Sequence, residues 1–203
     1  MRLYAVTDRA WVGEKTLFEQ IEEALKGGVT CVQLREKELA EELFLQEAYE
    51  IHELCKQYNV PFIINDNVEI AVKCGADGVH VGQKDMNIKL VREKLLSHQM
   101  IGVSVQTVEQ AVLAEKEGAS YLGVGAVFKT STKSDAINVS YDTLKEICNS
   151  VNIPVVAIGG INEHNALYLA HSGIDGIAVV SALFAQKDIT KVAQNLYELG
   201  GQL

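Results

Sequence analysis

The chain has 203 residues, of which 48% are hydrophobic, with 16 glycines and only 2 prolines. A chain of this length and composition can form one well-packed core, and no shift in composition indicates a second domain. The 27 acidic and 18 basic residues give a formal net charge of -9, which argues against nucleic acid or an anionic membrane surface as a partner.

The cysteines show neither the spacing of a metal site nor the density of a disulfide scaffold. They are Cys31, Cys55, Cys74 and Cys148, and we interpret them as buried, reduced thiols. The sequence contains no apolar stretch of membrane-spanning length and no leader-like segment after Met1. We therefore expect one domain, residues 1–203, in a soluble protein of the cytoplasm.

Short runs rich in Val, Ile and Leu alternate with longer amphipathic stretches along the whole chain. The runs predict strands at Leu3 to Thr7, Cys31 to Arg35, Phe62 to Asn65, Gly78 to Val81, Ile101 to Val105, Tyr121 to Val127, Val155 to Ile158 and Gly176 to Val180. Between them, apolar residues recur at helical spacing, as at Phe44, Ala48, Ile51 and Cys55 and again at Ile189, Val192, Leu196 and Leu199. About eight strand–helix units predict a parallel sheet covered by helices.

A repeated phrase favours a closed barrel over an open sheet. It occurs as Gly28-Val29-Thr30-Cys31-Val32, Gly75-Ala76-Asp77-Gly78-Val79, Gly118-Ala119-Ser120-Tyr121-Leu122 and Gly173-Ile174-Asp175-Gly176-Ile177. Each glycine stands where a helix must end in a left-handed conformation before the chain enters an even-numbered strand. Alternate strands entered in the same way are typical of an α/β (β/α)8 TIM barrel. An open doubly wound sheet is the alternative, although no Gly-x-Gly-x-x-Gly opens the first helix.

In such a barrel, chemistry lies at the carboxyl ends of the strands. The second predicted strand runs into Gln33-Leu34-Arg35-Glu36-Lys37, and alternation places Gln33, Arg35 and Lys37 on one side. Arg35 can bind phosphate oxygens bidentately, and Lys37 can add a point charge. The alternative is a solvated charge run at a strand exit.

Two aspartates follow adjacent predicted strands. Asp66 comes directly after Asn65 at the end of the third strand, and Asp85 follows the fourth. Each aspartate taken singly can be a helix cap. However, an aspartate carboxylate about 4 Å from a charge of a diphosphate is repelled by on the order of 4 kcal/mol at an effective dielectric of about 20. A cation bound between the two groups makes the interaction favourable. We therefore expect Asp66 and Asp85 to bind Mg²⁺ together with substrate oxygens and water.

The later strand ends predict a second anion site. Gly159-Gly160 after the seventh strand and Ser181 after the eighth suit a phosphate held by backbone N–H groups. Ser104 after the fifth strand can donate to a phosphate oxygen or simply turn the chain. The polar segment 125–135, with two lysines, is interpreted as a mobile loop over the site, with a linker as the alternative. We interpret His80, within a strand, as a packed residue rather than a general base.

Taken in order, these phrases resemble the thiamine-phosphate synthase family. The resemblance runs from about residue 3 to residue 184 and rests on Tyr4-Ala5-Val6-Thr7-Asp8-Arg9, Gln33-Leu34-Arg35-Glu36-Lys37, Ile64-Asn65-Asp66, the segment from Gly75 to Gln83, Asp85, Gly102-Val103-Ser104, Thr130-Ser131-Thr132-Lys133, Ile158-Gly159-Gly160-Ile161 and Val179-Val180-Ser181. It implies a Mg²⁺-dependent transferase that joins hydroxymethylpyrimidine diphosphate to a thiazole phosphate and releases diphosphate. The diphosphate would leave first, and the thiazole nitrogen would then capture the pyrimidine cation without a protein nucleophile.

The resemblance also implies a role for each matching residue. The pyrimidine diphosphate would bind to Gln33, Leu34, Arg35, Glu36, Lys37, Asn65, Ser104 and Lys133. Mg²⁺ would bind to Asp66 and Asp85, and the thiazole phosphate to Thr130, Ser131, Thr132, Gly160, Val180 and Ser181. Arg35, Lys37 and Lys133 would be catalytic, because they stabilise charge on the leaving diphosphate.

Two alternatives and three departures accompany this resemblance. A thiazole tautomerase-like isomerase would have a catalytic His where this chain has Ala126, and a non-catalytic thiamine-phosphate-binding protein would not need both aspartates. Family members often have Arg, His and Pro at the positions of Asn67, Gln106 and Lys129. The sequence leaves open whether the barrel forms a homo-oligomer and whether its thiazole is carboxylated.

Overall fold

Eight parallel strands close into a barrel in the computed structural model of this chain, which describes residues 1–83, 85, 87–130 and 138–203. The strands are β1 (Leu3–Val6), β2 (Cys31–Leu34), β3 (Phe62–Asn65), β4 (Gly78–Val81), β5 (Met100–Val105), β6 (Tyr121–Val124), β7 (Val155–Ile158) and β8 (Gly176–Val179). Each strand pairs with the next, and β8 closes the barrel against β1. The predicted (β/α)8 TIM barrel is confirmed, and the open doubly wound sheet is wrong.

Helices surround the barrel in the described part of the chain. They are α1 (Leu17–Lys26), α2 (Glu41–Gln57), α3 (Val68–Cys74), α4 (Ile88–Lys94), α5 (Val108–Glu117), α6 (Tyr141–Ser150), α7 (Ser181–Phe184) and α8 (Ile189–Gly200), with 3-10 turns at Arg9–Trp11 and Ala166–Leu169. The apolar residues predicted to share a face of α2 are all buried. On α8, Ile189 and Leu196 are buried, whereas Val192 and Leu199 are half-buried against the core. None of these helices is long and apolar enough to cross a membrane.

The connection from β7 to β8 departs from the predicted strand–helix pattern, because it contains a 3-10 turn in place of an α-helix. Here Asn165 accepts a hydrogen bond from the Asn162 backbone at 2.8 Å and donates one to the Gly160 carbonyl oxygen at 2.9 Å. Such side-chain bonds to nearby backbone compete with helix formation. The predicted end of β6 is also wrong: the strand ends at Val124 rather than Val127.

The repeated glycine phrase forms the same structure at each of its occurrences. Its first glycine has a positive φ every time, of 97° at Gly28, 66° at Gly75, 100° at Gly118 and 91° at Gly173, as predicted, although Gly173 follows a 3-10 turn and not an α-helix. The third residue of each phrase accepts a hydrogen bond from backbone at the start of the preceding odd-numbered strand. These pairs are Thr30 with Leu3 (3.0 Å), Asp77 with Phe62 (2.8 Å), Ser120 with Ile101 (3.0 Å) and Asp175 with Val155 (2.8 Å). We call Thr30, Asp77, Ser120 and Asp175 the strand-entry caps.

In the barrel interior, large side chains on two strands lie beside a glycine on the strand between them. One buried cluster, distinct from the larger core that includes Leu34 and Ile64, consists of Tyr4, Val6, Cys31, Ile63, Tyr121, Val156 and Ala178. Gly102 pairs with Tyr121 on one side and with His80 on the other. A Cβ on Gly102 would lie 2.2 Å from Tyr121 Cζ and 2.5 Å from His80 Nδ1. Glycine is therefore required there for the two rings to lie side by side.

The cysteines are free thiols, as predicted, although Cys148 is only half-buried. Burial raises the pKa of Cys55 to about 12 and that of Cys148 to about 11. These thiols therefore stay protonated at neutral pH, and their place is in packing rather than in nucleophilic or metal chemistry.

Candidate active site

A cavity of about 830 Å³ opens at the carboxyl ends of the strands, a size typical of small-molecule sites. The predicted site residues on its wall are Gln33, Arg35, Lys37, Asn65, Asp66, Asp85, Ser104, Thr130, Gly160, Val180 and Ser181. Ser131, Thr132 and Lys133 lie outside the described residues. The described residues of this wall come from seven different strands and the loops that follow them. Closure of the barrel is what brings them together.

Leu34 and Glu36 are not on this wall. The Leu34 side chain is fully buried in the core between sheet and helices. Glu36 accepts hydrogen bonds from Arg9 at 2.9 and 3.1 Å, and its side chain is only 2% exposed. These bonds raise the pKa of Arg9 above its usual value. The pair ties the loop after β1 to the loop after β2, while the alternate residues Gln33, Arg35 and Lys37 face the cavity.

The two cations after β2 are held differently. The Arg35 guanidinium donates to Asp8 Oδ2 at 3.0 Å, and the Arg35 backbone donates to Thr7 Oγ1 at 2.9 Å. The Lys37 ammonium contacts Asp66 Oδ2. Arg35 is therefore oriented by a partner beside the cavity, whereas Lys37 is paired with one of the two predicted metal ligands.

The two aspartates present carboxylates to the same cavity. Asp66 has a φ of 61°, its N–H donates to the His80 carbonyl oxygen at 2.8 Å, and its Oδ1 accepts from Asn65 Nδ2 at 3.0 Å. Asp85 Oδ2 accepts from the Gly82 backbone at 2.6 Å. The left-handed backbone at Asp66 is uncommon for a residue other than glycine, and such conformations cluster at functional sites.

This donor set fits Mg²⁺. Carboxylate oxygens are its preferred protein ligands, and Mg²⁺ commonly takes one or two of them and completes its octahedron with phosphate oxygens and water. Among the described residues, no three His, Cys, Asp or Glu side chains are grouped as a site made of protein ligands alone. Asp66 and Asp85 would therefore hold the ion jointly with a bound ligand.

A chain of hydrogen bonds crosses the floor of the cavity. Gln33 Nε2 lies 2.8 Å from the Tyr4 hydroxyl, and the Tyr4 hydroxyl lies 2.7 Å from that of Tyr121. The Tyr121 hydroxyl lies 3.1 Å from His80 Nδ1, and His80 Nε2 lies 2.9 Å from Ser104 Oγ. We call these five residues the floor network. Burial raises the pKa of both tyrosines well above the usual value, so both hydroxyls stay protonated.

Sequence reasoning leaves Tyr4 and Tyr121 without a role, although both line the cavity. The available signal is the pattern of large and small residues on neighbouring strands. Tyr121 begins β6 directly opposite Gly102, and an inward-facing aromatic opposite glycine indicates a ring that fills the barrel interior. His80 is packed between strands, as predicted, and it also bonds through both ring nitrogens.

On another side of the cavity, two consecutive glycines bring backbone to the wall. Gly159 and Gly160 have φ values of 102° and 68°, which a side chain would strain. A Cβ on Gly160 would also lie 2.5 Å from the Lys129 carbonyl oxygen. Val180 and Ser181 line the same cavity where β8 gives way to α7. This wall combines close backbone approach with one side-chain hydroxyl, as a phosphate subsite requires.

The three departures from the family pattern have defined positions. The Asn67 side chain caps α3 by accepting from the Ile70 backbone at 3.0 Å. Gln106 donates to the Gly125 carbonyl oxygen at 3.4 Å, and Lys129 lines the cavity. The first two are therefore accommodated by local hydrogen bonds, and the third adds a cation to the wall.

Comparison with known proteins identifies the family. Residues 3–183 match the pattern of the family described as thiamine monophosphate synthase. The thiamine-phosphate synthase of Ruminiclostridium cellulolyticum is 51% identical over 197 residues, covering 97% of this chain and 94% of that protein. That of Clostridium acetobutylicum is 48% identical, covering 98% and 94%.

Solved structures agree with the sequence matches. The thiamine phosphate pyrophosphorylase of Pyrococcus furiosus superposes with a TM-score of 0.91 at 39% identity, covering 98% of this chain and 95% of that chain. A 3-hexulose-6-phosphate synthase structure, at 15% identity and a TM-score of 0.70, shares the fold alone. From its sequence match, its relatives and its barrel, the chain belongs to the thiamine monophosphate synthase family.

Proposed function

We propose that this chain is a thiamine-phosphate synthase, a transferase acting on two small molecules. It would move the hydroxymethylpyrimidine group from its diphosphate to the ring nitrogen of a thiazole phosphate, forming thiamine phosphate and diphosphate. The observation that carries this proposal is one cavity lined by two cations after β2 and by the carboxylates of Asp66 and Asp85. The names of its relatives support the same activity, and we expect the enzyme to act in the cytoplasm.

The leaving group is the part of the substrate that these charges suit best. As the bond between the methylene carbon and the diphosphate oxygen breaks, negative charge accumulates on the diphosphate. Arg35 is held in place by Asp8, so its guanidinium can donate to that anion without first being ordered. Lys37, and Lys133 as predicted from the sequence, would add two further positive charges.

Asp66 and Asp85 would hold Mg²⁺ at the diphosphate. When bound, the ion supplies charge neutralisation to an anion that two carboxylates would otherwise repel. Lys37 contacts Asp66, so we propose that this lysine moves to the diphosphate when the substrate binds. The remaining lone pairs of Asp66 would then be available to the ion.

The floor of the cavity suits the pyrimidine. Gln33 and Asn65 supply amide groups, and Tyr4 and Tyr121 supply buried rings beneath them. Loss of diphosphate leaves positive charge on the methylene carbon, which the aminopyrimidine ring delocalises. A site that excludes water favours capture of this carbon by the thiazole nitrogen over hydrolysis.

The thiazole phosphate is proposed to bind at the backbone-lined side of the cavity. Gly160, Val180 and Ser181 lie there together with Thr130, and Ser131 and Thr132 are included from the sequence alone. This arrangement would put the two anionic groups of the substrates on opposite sides of one cavity. The acceptor nitrogen can then approach the methylene carbon without bringing the two anions together.

The test is a reaction of the purified chain with hydroxymethylpyrimidine diphosphate, thiazole phosphate and Mg²⁺, followed by diphosphate release and thiamine phosphate formation. We expect both products in equal amounts, and neither when the thiazole phosphate is replaced by inorganic phosphate. Isomerisation of a thiazole phosphate alone would instead support the tautomerase alternative. Tight binding of thiamine phosphate without turnover would support the binding-protein alternative.

A further inference from the structure

The floor network joins two groups of the active site through the hydroxyls of Tyr4 and Tyr121 and the His80 ring, to which the proposed function gives no role. Gln33 lies at one end and Ser104 at the other, and both line the cavity. The residues between them are deeply buried: Tyr4 is 2% exposed, Tyr121 1% and His80 8%. Inside a barrel, a buried hydroxyl that leaves its hydrogen bond unmade is costly, so the two tyrosine hydroxyls are expected to use their protons within the network.

The direction of each hydrogen bond follows from the first one. Gln33 Nε2 can only donate, so the Tyr4 hydroxyl accepts from Gln33 and has its own proton for Tyr121. Having accepted from Tyr4, the Tyr121 hydroxyl uses its own proton within the network only by donating in turn to His80 Nδ1, 3.1 Å away. A histidine that accepts at Nδ1 carries its proton on Nε2, and His80 Nε2 therefore donates to Ser104 Oγ.

We propose that Tyr4, Tyr121 and His80 are positioning residues that fix Ser104 as a hydrogen-bond donor to the ligand in the cavity. A serine hydroxyl has one proton. Because Ser104 accepts from His80, that proton is left for the cavity. This inference rests on the proposed function, in which Ser104 faces the pyrimidine diphosphate, whose phosphate oxygens can only accept.

The opposite polarity has opposite consequences for the chemistry. With the proton of His80 on Nδ1, the ring would donate to Tyr121 and accept from Ser104. Ser104 would then donate its proton to His80, and a phosphate oxygen would face a lone pair of Ser104. That polarity would also make His80 a base for Ser104, which is the arrangement of a nucleophilic serine. The tautomer of His80 therefore separates a donor serine from a nucleophilic one.

Nitrogen NMR of the imidazole rings tests the tautomer without any turnover. The five histidines of the ¹⁵N-labelled chain give separate ring signals, and the His80→Gln variant identifies those of His80. We expect Nε2 to be protonated and Nδ1 to be an unprotonated acceptor, both in the free protein and with diphosphate and Mg²⁺ bound. In Tyr121→Phe, the Nδ1 signal should shift as its donor is lost. A proton on Nδ1 in the unmodified protein, alone or on both nitrogens, would overturn the proposal.

A double-mutant cycle tests whether the network acts through Ser104. Tyr121→Phe removes one buried hydroxyl and is expected to lower kcat at least fivefold, with a smaller change in KM. In the Ser104→Ala background, the same substitution should change kcat less than twofold, because the group that it positions is already gone. Equal losses in both backgrounds would show a merely structural role and overturn the proposal.

Tyr141→Phe is the matched control for this cycle. It also removes a tyrosine hydroxyl, one that donates to the Ala170 carbonyl oxygen at 2.9 Å on the outside of the barrel, and it should leave kcat unchanged. The two experiments also separate this inference from the proposed function. An absence of thiamine phosphate formation would reject the function, while the His80 tautomer would still be decided by NMR.

Discussion

The two ends of the barrel differ in how uniform their residues are from strand to strand. At the amino ends, the strand-entry caps repeat one interaction in which a side-chain oxygen accepts from the backbone of the neighbouring strand. At the carboxyl ends, the residues that follow the strands differ from one strand to the next. A cation follows β2, a carboxylate follows β3, and glycines follow β7.

This difference shows at which end of the barrel the same kind of residue can be used at successive strands. A strand entry needs only one acceptor for one backbone N–H, so Thr, Ser and Asp serve equally well there. The cavity needs opposite charges at chosen places, and repetition would place like charges together. The amino ends are therefore expected to contribute to stability, and the carboxyl ends to ligand binding and catalysis.

The largest effect is expected at the carboxyl end of β3. Asp66→Asn keeps the shape of the side chain but removes the charge that faces the proposed ion. We expect turnover to fall about 100-fold, corresponding to about 2.7 kcal/mol of barrier, and binding of Mn²⁺, measured by electron paramagnetic resonance, to weaken in parallel. Glu69→Gln, which removes an exposed carboxylate 3.7 Å from Lys94, is the control and should change neither quantity. Unchanged Mn²⁺ binding in Asp66→Asn would reject Asp66 as a ligand.

The second effect lies between the two ends, inside the barrel. Gly102→Ala would place a methyl group against the rings of Tyr121 and His80, and overpacking of this kind costs about 1–3 kcal/mol of unfolding free energy. Urea denaturation should show this loss, and kcat should fall as well because the floor network is displaced. Gly13→Ala has no heavy atom within 4 Å of its new methyl group and should leave both unchanged. A Gly102→Ala protein with full stability would mean that the rings can move apart without cost.

The sequence predicts the barrel better than it predicts the partners of the site residues. β3, β4 and β7 begin and end where predicted, because short apolar runs bounded by glycine, proline or polar residues leave little choice. Alternation also separates Arg35 and Lys37 from Leu34. It does not reveal that the hydroxyls of Tyr4 and Tyr121 meet across 117 residues of chain, since that contact depends on barrel closure and on the missing side chain of Gly102.

The third effect tests the amino ends directly. Asp175→Ala leaves the Val155 N–H without its carboxylate acceptor, and the loss of such a bond is expected to cost about 1 kcal/mol of unfolding free energy. Asp175→Asn, which retains an acceptor oxygen, should cost less, and kcat should be unchanged in both variants. Combining Asp175→Ala with Ser120→Ala should give additive losses, because these two caps share no partner. A fall in kcat with stability preserved would contradict the division between the two ends.

The smallest effect concerns Lys37, whose ammonium contacts Asp66. The two side chains are 49% and 29% exposed, so their attraction is worth only about 0.2–1 kcal/mol. Lys37→Gln should therefore strengthen Mn²⁺ binding to the substrate-free protein by about 1.4- to fivefold, the same energy expressed as an affinity. Arg35→Gln removes an equal charge from the same wall, but its guanidinium is paired with Asp8. If both variants strengthened Mn²⁺ binding equally, the cause would be the overall charge of the cavity rather than competition between Lys37 and the ion for Asp66.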